Sequence, residues 1–263
     1  MAKPEESDEI VMVRIEEGIG TLTLNRPDRL NSMNTAFMRA IIDGLARLAE
    51  DRTVRSVLLT GAGRAFCAGA DLTAGRESEN HYGNLYDNLM PAVSELKRFR
   101  KPVVCAVNGA CAGAGVSLAL SCDIVVAAES AYFLQAFLNV GLVPDCGASW
   151  MIPRLVGSAR FAGMSMLAKR IPARQAAEWG LIWECVPDAE LMPTAAALAR
   201  QLAEAPPKAL ELTKELLRQS PRNGYEEQMV LEAQFQKTCA ATRDSMEARQ
   251  AFVEKRKPVF RGE

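Results

Sequence analysis

Residues 102–127 read PVVCAVNGACAGAGVSLALSCDIVVA, and their pattern decides the fold class. Pro102–Val107 and Asp123–Ala127 are short, continuous apolar runs, as expected of strands buried on both faces. Between them, Gly113–Cys122 is a small-residue stretch of helical character. Buried strand, helix and buried strand in succession imply parallel pairing with helices packed outside the sheet. The expected class is α/β.

The same alternation extends upstream. Ser56–Thr60 (SVLLT) reads as another buried strand, ended by Gly61-Ala62-Gly63. Before it, Phe37, Ile41, Leu45 and Leu48 recur at helical spacing, so Thr35–Glu50 is an amphipathic helix with Asn34 or Thr35 as its cap. Ile10–Ile15 and Thr21–Leu24, joined across Glu16-Glu17-Gly18, read as a β-hairpin. Asn25-Arg26-Pro27-Asp28 breaks its second strand. Glu79–Phe99 reads as a helix, with Pro91 placed to kink it. Downstream of Ser158 the strand signal is confined to Leu181–Val186. Helices are expected at Ser158–Ala168, Ala173–Trp179, Pro193–Ala205, Ala209–Gln219, Tyr225–Cys239 and Arg243–Lys257. The last three have apolar stripes and few partners within the chain, so a homo-oligomer is expected.

Composition excludes several functions. The chain has 263 residues, 49% hydrophobic and 24% charged, enough for one large domain or one domain with a small appendage. A net charge of -1 supplies no basic excess for nucleic acid. No apolar run reaches the ~18 residues of a membrane span. The start, MAKPEESDEI, is acidic and polar, unlike a signal or transit peptide. The seven cysteines form no C-x-x-C and read as reduced, mostly buried small residues of a cytoplasmic protein. The one histidine, His81, lies in a polar stretch, so two-histidine metal sites and Ser-His-Asp triads are excluded. Neither glycine cluster completes G-x-G-x-x-G or is followed by G-K-[ST].

Two glycine-rich loops do carry a signal. Gly61–Leu72 reads GAGRAFCAGADL and Asn108–Leu118 reads NGACAGAGVSL. Each follows a buried strand and leads toward a helix. Small residues let a ligand approach the backbone, and a helix start supplies unpaired N–H donors. Side by side, two such loops can aim two N–H groups at one oxygen, as an oxyanion hole. Each loop alone reads equally as a device for tight helix–sheet packing.

Together the loops resemble the crotonase (enoyl-CoA hydratase/isomerase) superfamily, and the resemblance covers nearly the whole chain. It runs through Asn25-Arg26-Pro27-Asp28-Arg29-Leu30-Asn31, Arg64–Leu72, Lys101-Pro102-Val103, Asn108-Gly109, Cys122-Asp123-Ile124, Pro153–Gly157 and Phe252–Arg256. It implies a spiral of ββα turns over residues 1–200 that carries the active site. A helical oligomerisation region over 201–263 would follow, giving trimers or hexamers built as dimers of trimers. It implies an acyl-CoA substrate, with coenzyme A part of the substrate, no permanently bound cofactor and no metal. Carried over by position, the two N–H donors belong to Ala70 and Ala114. Ala68, Asp71, Leu72 and Thr73 would line the coenzyme A moiety. Arg29 would neighbour its phosphates, and Lys255 would reach a phosphate across a subunit boundary.

The reaction depends on the acid–base groups. The family's hydratases use two glutamates; their positions here hold Ser117 and Phe137. Phe137 would make the substrate pocket drier and more apolar, which suits an aromatic or cyclic acyl group. One carboxylate remains: Asp145, in Gly141–Gly147 (GLVPDCG). From local sequence alone it reads either as an acid–base group among apolar neighbours or as the N-cap of a helix running through Trp150. An aspartate here resembles the family's double-bond isomerases. The likeness is closer still to the ring-opening isomerases of phenylacetate catabolism, through Gly113-Ala114-Gly115, GLVPDCGASW and Glu178–Trp183. The expectation is an isomerase; a hydratase and a non-catalytic acyl-CoA-binding homologue are the alternatives.

Overall fold

The computed structural model describes residues 9–72 and 89–263. Several sequence readings lie outside these residues: Thr73 as a coenzyme A contact, His81 and the charges Glu77, Glu79 and Asp87 as surface groups, and the first part of the helix expected from Glu79.

A hairpin opens the fold. Val11–Glu16 (β1) pairs antiparallel with Ile19–Leu24 (β2), and Leu22 and Leu24 are fully buried. Thr35–Glu50 (α1) follows. The Asn34 side chain accepts from the Phe37 N–H at 2.9 Å, so one orphan donor of the helix start is satisfied. Phe37, Met38, Ile41, Leu45 and Leu48 form the buried face. Lys101 closes the other end of α1, donating from Nζ to the carbonyls of Leu48 and Asp51 at 2.7 and 2.6 Å.

A ββα unit then repeats. Ser56–Gly61 (β3), Ala65–Cys67 (β4) and Met90–Arg98 (α2) form one turn. Val103–Val107 (β5), Ala110–Ala112 (β6) and Ala114–Leu120 (α3) form the next. Ile124–Ala128 (β7) and Tyr132–Leu134 (β8) begin a third, which a 3-10 turn, Ala136–Val140, carries to Ala148–Val156 (α4). The first strand of each unit, with the hairpin and the short strand Glu184–Val186 (β10), enters one sheet, in the order β1-β2-β3-β5-β7-β10, parallel from β2 onward. The short strands enter a second, β4-β6-β8-β9, where Ile171–Pro172 (β9) pairs antiparallel at the edge. The fold is the ββα spiral.

Two expectations are corrected. The short strands β4 and β6 lie inside the two stretches that read as glycine-rich loops, and β8 falls where the sequence shows no strand pattern. Pro91 lies near the start of Met90–Arg98, and the turn before it, where a kink would fall, is outside the described residues. The N-cap of α4 is Gly147, at φ 82°, with no side-chain cap, so Asp145 does not fill that role.

The rest of the chain is helical. Ser158–Leu167 (α5) and Ala173–Glu178 (α6) lead to Glu184–Val186 (β10). Leu191–Ala203 (α7) lies on the main sheet through Ala195 and Ala199, and the Ser56 hydroxyl donates to the Ala199 carbonyl at 2.7 Å. Pro207–Gln219 (α8) and Tyr225–Ala240 (α9) bury no residue, and Arg243–Glu254 (α10) buries Asp244 and Ala251. Asp123 ties α8 to the core: its carboxylate accepts from the Val103 N–H at 2.7 Å and from Lys214 at 2.6 Å. No helix among the described residues is long and apolar enough to cross a membrane.

Candidate active site

The two glycine-rich loops meet. A Cβ added to Gly69 would stand 2.9 Å from the Ala112 carbonyl oxygen and 3.5 Å from Gly113 Cα. One added to Gly115 would stand 2.3 Å from the Cys67 oxygen. Glycine is required at both positions for this approach, and Gly69 also takes φ 91°. The packing reading of these glycines therefore holds; the question is what the packing leaves exposed.

At Ala70 it leaves a donor. Ala70 forms an isolated parallel bridge with Met33. Met33 N–H donates to the Gly69 carbonyl at 2.7 Å, and Asp71 N–H to the Met33 carbonyl at 2.9 Å. In this register the N–H of Ala70 itself points away from Met33. Ala114 is the first residue of α3, so its N–H has no partner one helical turn back. Ahead of it the Gly113 N–H is already engaged, donating to the Leu134 carbonyl at 2.8 Å. Ala70 is exposed and Ala114 is buried.

Phe137 and Asp145 belong to the same neighbourhood. The Phe137 ring is buried, with its tip 3.9 Å from where a Cβ on Gly113 would be. Ser117, fully buried on α3, donates from its hydroxyl to the backbone carbonyl of Asp145 at 3.4 Å. The same carbonyl accepts from the Ala148 N–H at 2.9 Å, fixing the turn that presents Asp145. Cys146 follows at φ 50° with a buried thiol beside the Asp145 side chain. Burial first, then the charge of that carboxylate and a hydrogen bond to it, push the thiol far above its ordinary range. It therefore stays protonated at neutral pH.

The remaining candidate residues are spread around this centre. Arg29 ends a 3-10 turn, Pro27–Arg29, and is exposed. Its neighbour Leu30 accepts from the Ala68 N–H at 3.0 Å, so the Arg29 turn and the Ala68 loop run side by side. Leu72 is 73% exposed. The Asp71 carboxylate is almost wholly buried and paired with Arg26 at 3.0 Å. Lys255 is exposed beyond the end of α10. A cavity of about 520 Å³ lies between α8 and α9, lined by groups such as Glu215, Asn223 and Glu227, and it holds none of these residues. Sequence reading missed the Arg26–Asp71 pair and the bond from Ser117. The partners lie 45 and 28 residues apart, and no local pattern joins them.

Comparison with known proteins converges on one family. The family profile described as enoyl-CoA hydratase/isomerase matches residues 14–263. A 1,2-epoxyphenylacetyl-CoA isomerase of Escherichia coli (strain K12) is 42% identical, over 97% of this chain and 99% of its own. A probable enoyl-CoA hydratase of Rhodobacter capsulatus is 41% identical, over 96% and 98%. Among solved structures, an enoyl-CoA hydratase from Bacillus anthracis superposes with a TM-score of 0.93 at 32% identity, covering 97% of this chain and all of its own. With the ββα spiral and the two apposed loops, these likenesses show that the chain belongs to the enoyl-CoA hydratase/isomerase family, enzymes acting on coenzyme A thioesters.

Proposed function

We propose that this protein is a cytoplasmic acyl-CoA isomerase with one acid–base residue, Asp145. The N–H groups of Ala70 and Ala114 hold the thioester oxygen as negative charge develops on it. Asp145 removes a proton from the acyl chain, giving a dienolate, and returns that proton to a different carbon. The double bond moves and no atom is gained or lost. Each donor of such a hole typically contributes ~10²–10³ in rate, and a positioned base ~10²–10⁴.

The observation that carries this reading is the pair of substitutions at the hydratase glutamate positions. Hydration needs one group to activate water and another to deliver a proton. Here those positions hold Ser117, whose hydroxyl is spent on the Asp145 backbone, and Phe137, an apolar ring beside Gly113. Neither can activate water. The apolar ring suits an aromatic or cyclic acyl group, and the 42% identity to the epoxyphenylacetyl-CoA isomerase supports the same class, including ring-opening of an epoxide to an oxepin. A hydratase is the second reading, favoured by the 41% identical relative named a probable hydratase and by a 35% identical 2,3-dehydroadipyl-CoA hydratase of Escherichia coli.

Coenzyme A enters as part of the substrate, with no resident cofactor. Arg29, Ala68 and Leu72 line its path, and the backbone at Asp71 contributes while its carboxylate is held by Arg26. Residues 201–263 assemble trimers or dimers of trimers, which would bring Lys255 to a neighbouring subunit's site. The test is a paired assay. A 3-enoyl-CoA should gain the absorbance of a conjugated thioester, while crotonyl-CoA should keep its enoyl absorbance. Rapid loss of the crotonyl-CoA absorbance would establish the hydratase instead.

A further inference from the structure

The donor at Ala70 hangs on a short piece of structure: one bridge to Met33, held by two backbone hydrogen bonds beside an exposed residue. Arg26 grips both sides of that bridge. Its Nη1 donates to the Ser32 carbonyl, next to Met33, at 2.5 Å. Its Nη2 reaches Asp71 Oδ2, next to Ala70, at 3.0 Å. The guanidinium carbon lies 5.8 Å from the centre of the Phe37 ring, and the two charged side chains are 16% and 5% exposed. The backbone of Arg26 is pinned in turn. Its N–H donates to Asn31 Oδ1 at 2.7 Å, and its carbonyl accepts from the Asn31 N–H at 2.9 Å. Asn31 is fully buried at φ 53°, and its side-chain amide donates to the carbonyls of Ala62 and Ala65 at 3.0 and 2.8 Å. The grip is thus anchored to the start of β4.

We infer that Arg26 is a positioning residue for the oxyanion donor, acting through Ser32 and Asp71 on the direction of the Ala70 N–H. It has an electrostatic consequence as well. Asp71 adjoins the residue that receives negative charge, and an uncompensated carboxylate there would oppose the enolate. The guanidinium neutralises it with a fork that one ammonium cannot reproduce. This inference rests on the proposed oxyanion role of Ala70.

The test uses cinnamoyl-CoA, whose conjugated thioester absorbs at longer wavelength when its carbonyl oxygen accepts strong hydrogen bonds. The signal needs neither turnover nor Asp145. The wild-type protein and Asp145→Asn should both show the red shift. Arg26→Gln should lose most of it, with kcat lowered by about a hundredfold and CoA-ester affinity changed by less than about tenfold, the pattern of a misplaced catalytic group. Arg26→Lys should recover part of both. A full red shift in Arg26→Gln would overturn the inference. If circular dichroism shows Arg26→Gln unfolded, Arg26→Lys decides: a partial shift supports the inference, and a full shift with wild-type kcat overturns it. No red shift in the wild type would remove the Ala70 and Ala114 reading itself, and this inference with it.

Discussion

Cys67, Cys105, Cys111 and Cys146 keep their protons because burial leaves their thiolates without solvent. Cys67 is pushed up to about 12 by burial, although the Gly69 N–H offsets part of this. Cys105 and Cys111 move in the same direction for the same reason. At pH 8 under native conditions, mass spectrometry after iodoacetamide treatment should find Cys185 and Cys239, the two half-buried thiols, labelled well ahead of the other five. Labelling of Cys67 at the rate of Cys239 would show that its burial is not real in solution. Stability follows the same logic. A thiol whose folded pKa is raised binds its proton more tightly in the native state. Its contribution is complete below pH 9.0, the ordinary thiol value, and drains away as pH rises toward about 12. Thermal midpoints should therefore fall above pH 9.

At the scale of elements, the approach of α3 to β4 holds the two loops together. Gly115→Ala would push a methyl to within 2.3 Å of the Cys67 backbone oxygen, which is part of a strand and cannot swing aside. Overpacking of this kind costs about 1–3 kcal/mol. The variant should show a lowered thermal midpoint together with weakened catalysis, because Ala114 moves with α3. An unchanged midpoint and rate would contradict the close apposition. Elements differ in how far the sequence reveals them. The range Thr35–Glu50 is legible to the residue, because Asn34 supplies the cap and five apolar side chains share one face. The strands Ala65–Cys67 and Ala110–Ala112 are not, because three residues are too few to show a period of two. Asp145 is legible as a residue of interest. That its turn hangs from Ser117 is a tertiary fact about two segments far apart in the chain. The roles proposed for Ala70 and Ala114 rest on backbone N–H groups, which every residue but proline has, so only resemblance singles them out.

At the scale of the molecule, the first two-thirds of the chain buries a continuous core, while α8 and α9 bury none of their residues. Leu217, Val230, Phe252 and Val253 are all more than half exposed on the C-terminal helices. Single exposed apolar side chains need no explanation, but four on adjoining helices fit a surface that other subunits cover. Sedimentation should give three or six times the 28.6 kDa of the chain, and Phe252→Glu should lower that mass. A monomer at micromolar concentration would contradict the assembly and leave Lys255 without a route to a neighbouring site. The proposed mechanism rests on one carboxylate, Asp145, acting opposite the backbone donors of Ala70 and Ala114, with Ser117 and Phe137 at the hydratase positions. The most direct measurement is turnover of an unsaturated acyl-CoA by Asp145→Asn beside the wild-type enzyme, with CoA-ester binding followed in parallel. A kcat lowered by ~10²–10⁴ with binding retained is predicted; activity within about threefold of wild type would contradict the account.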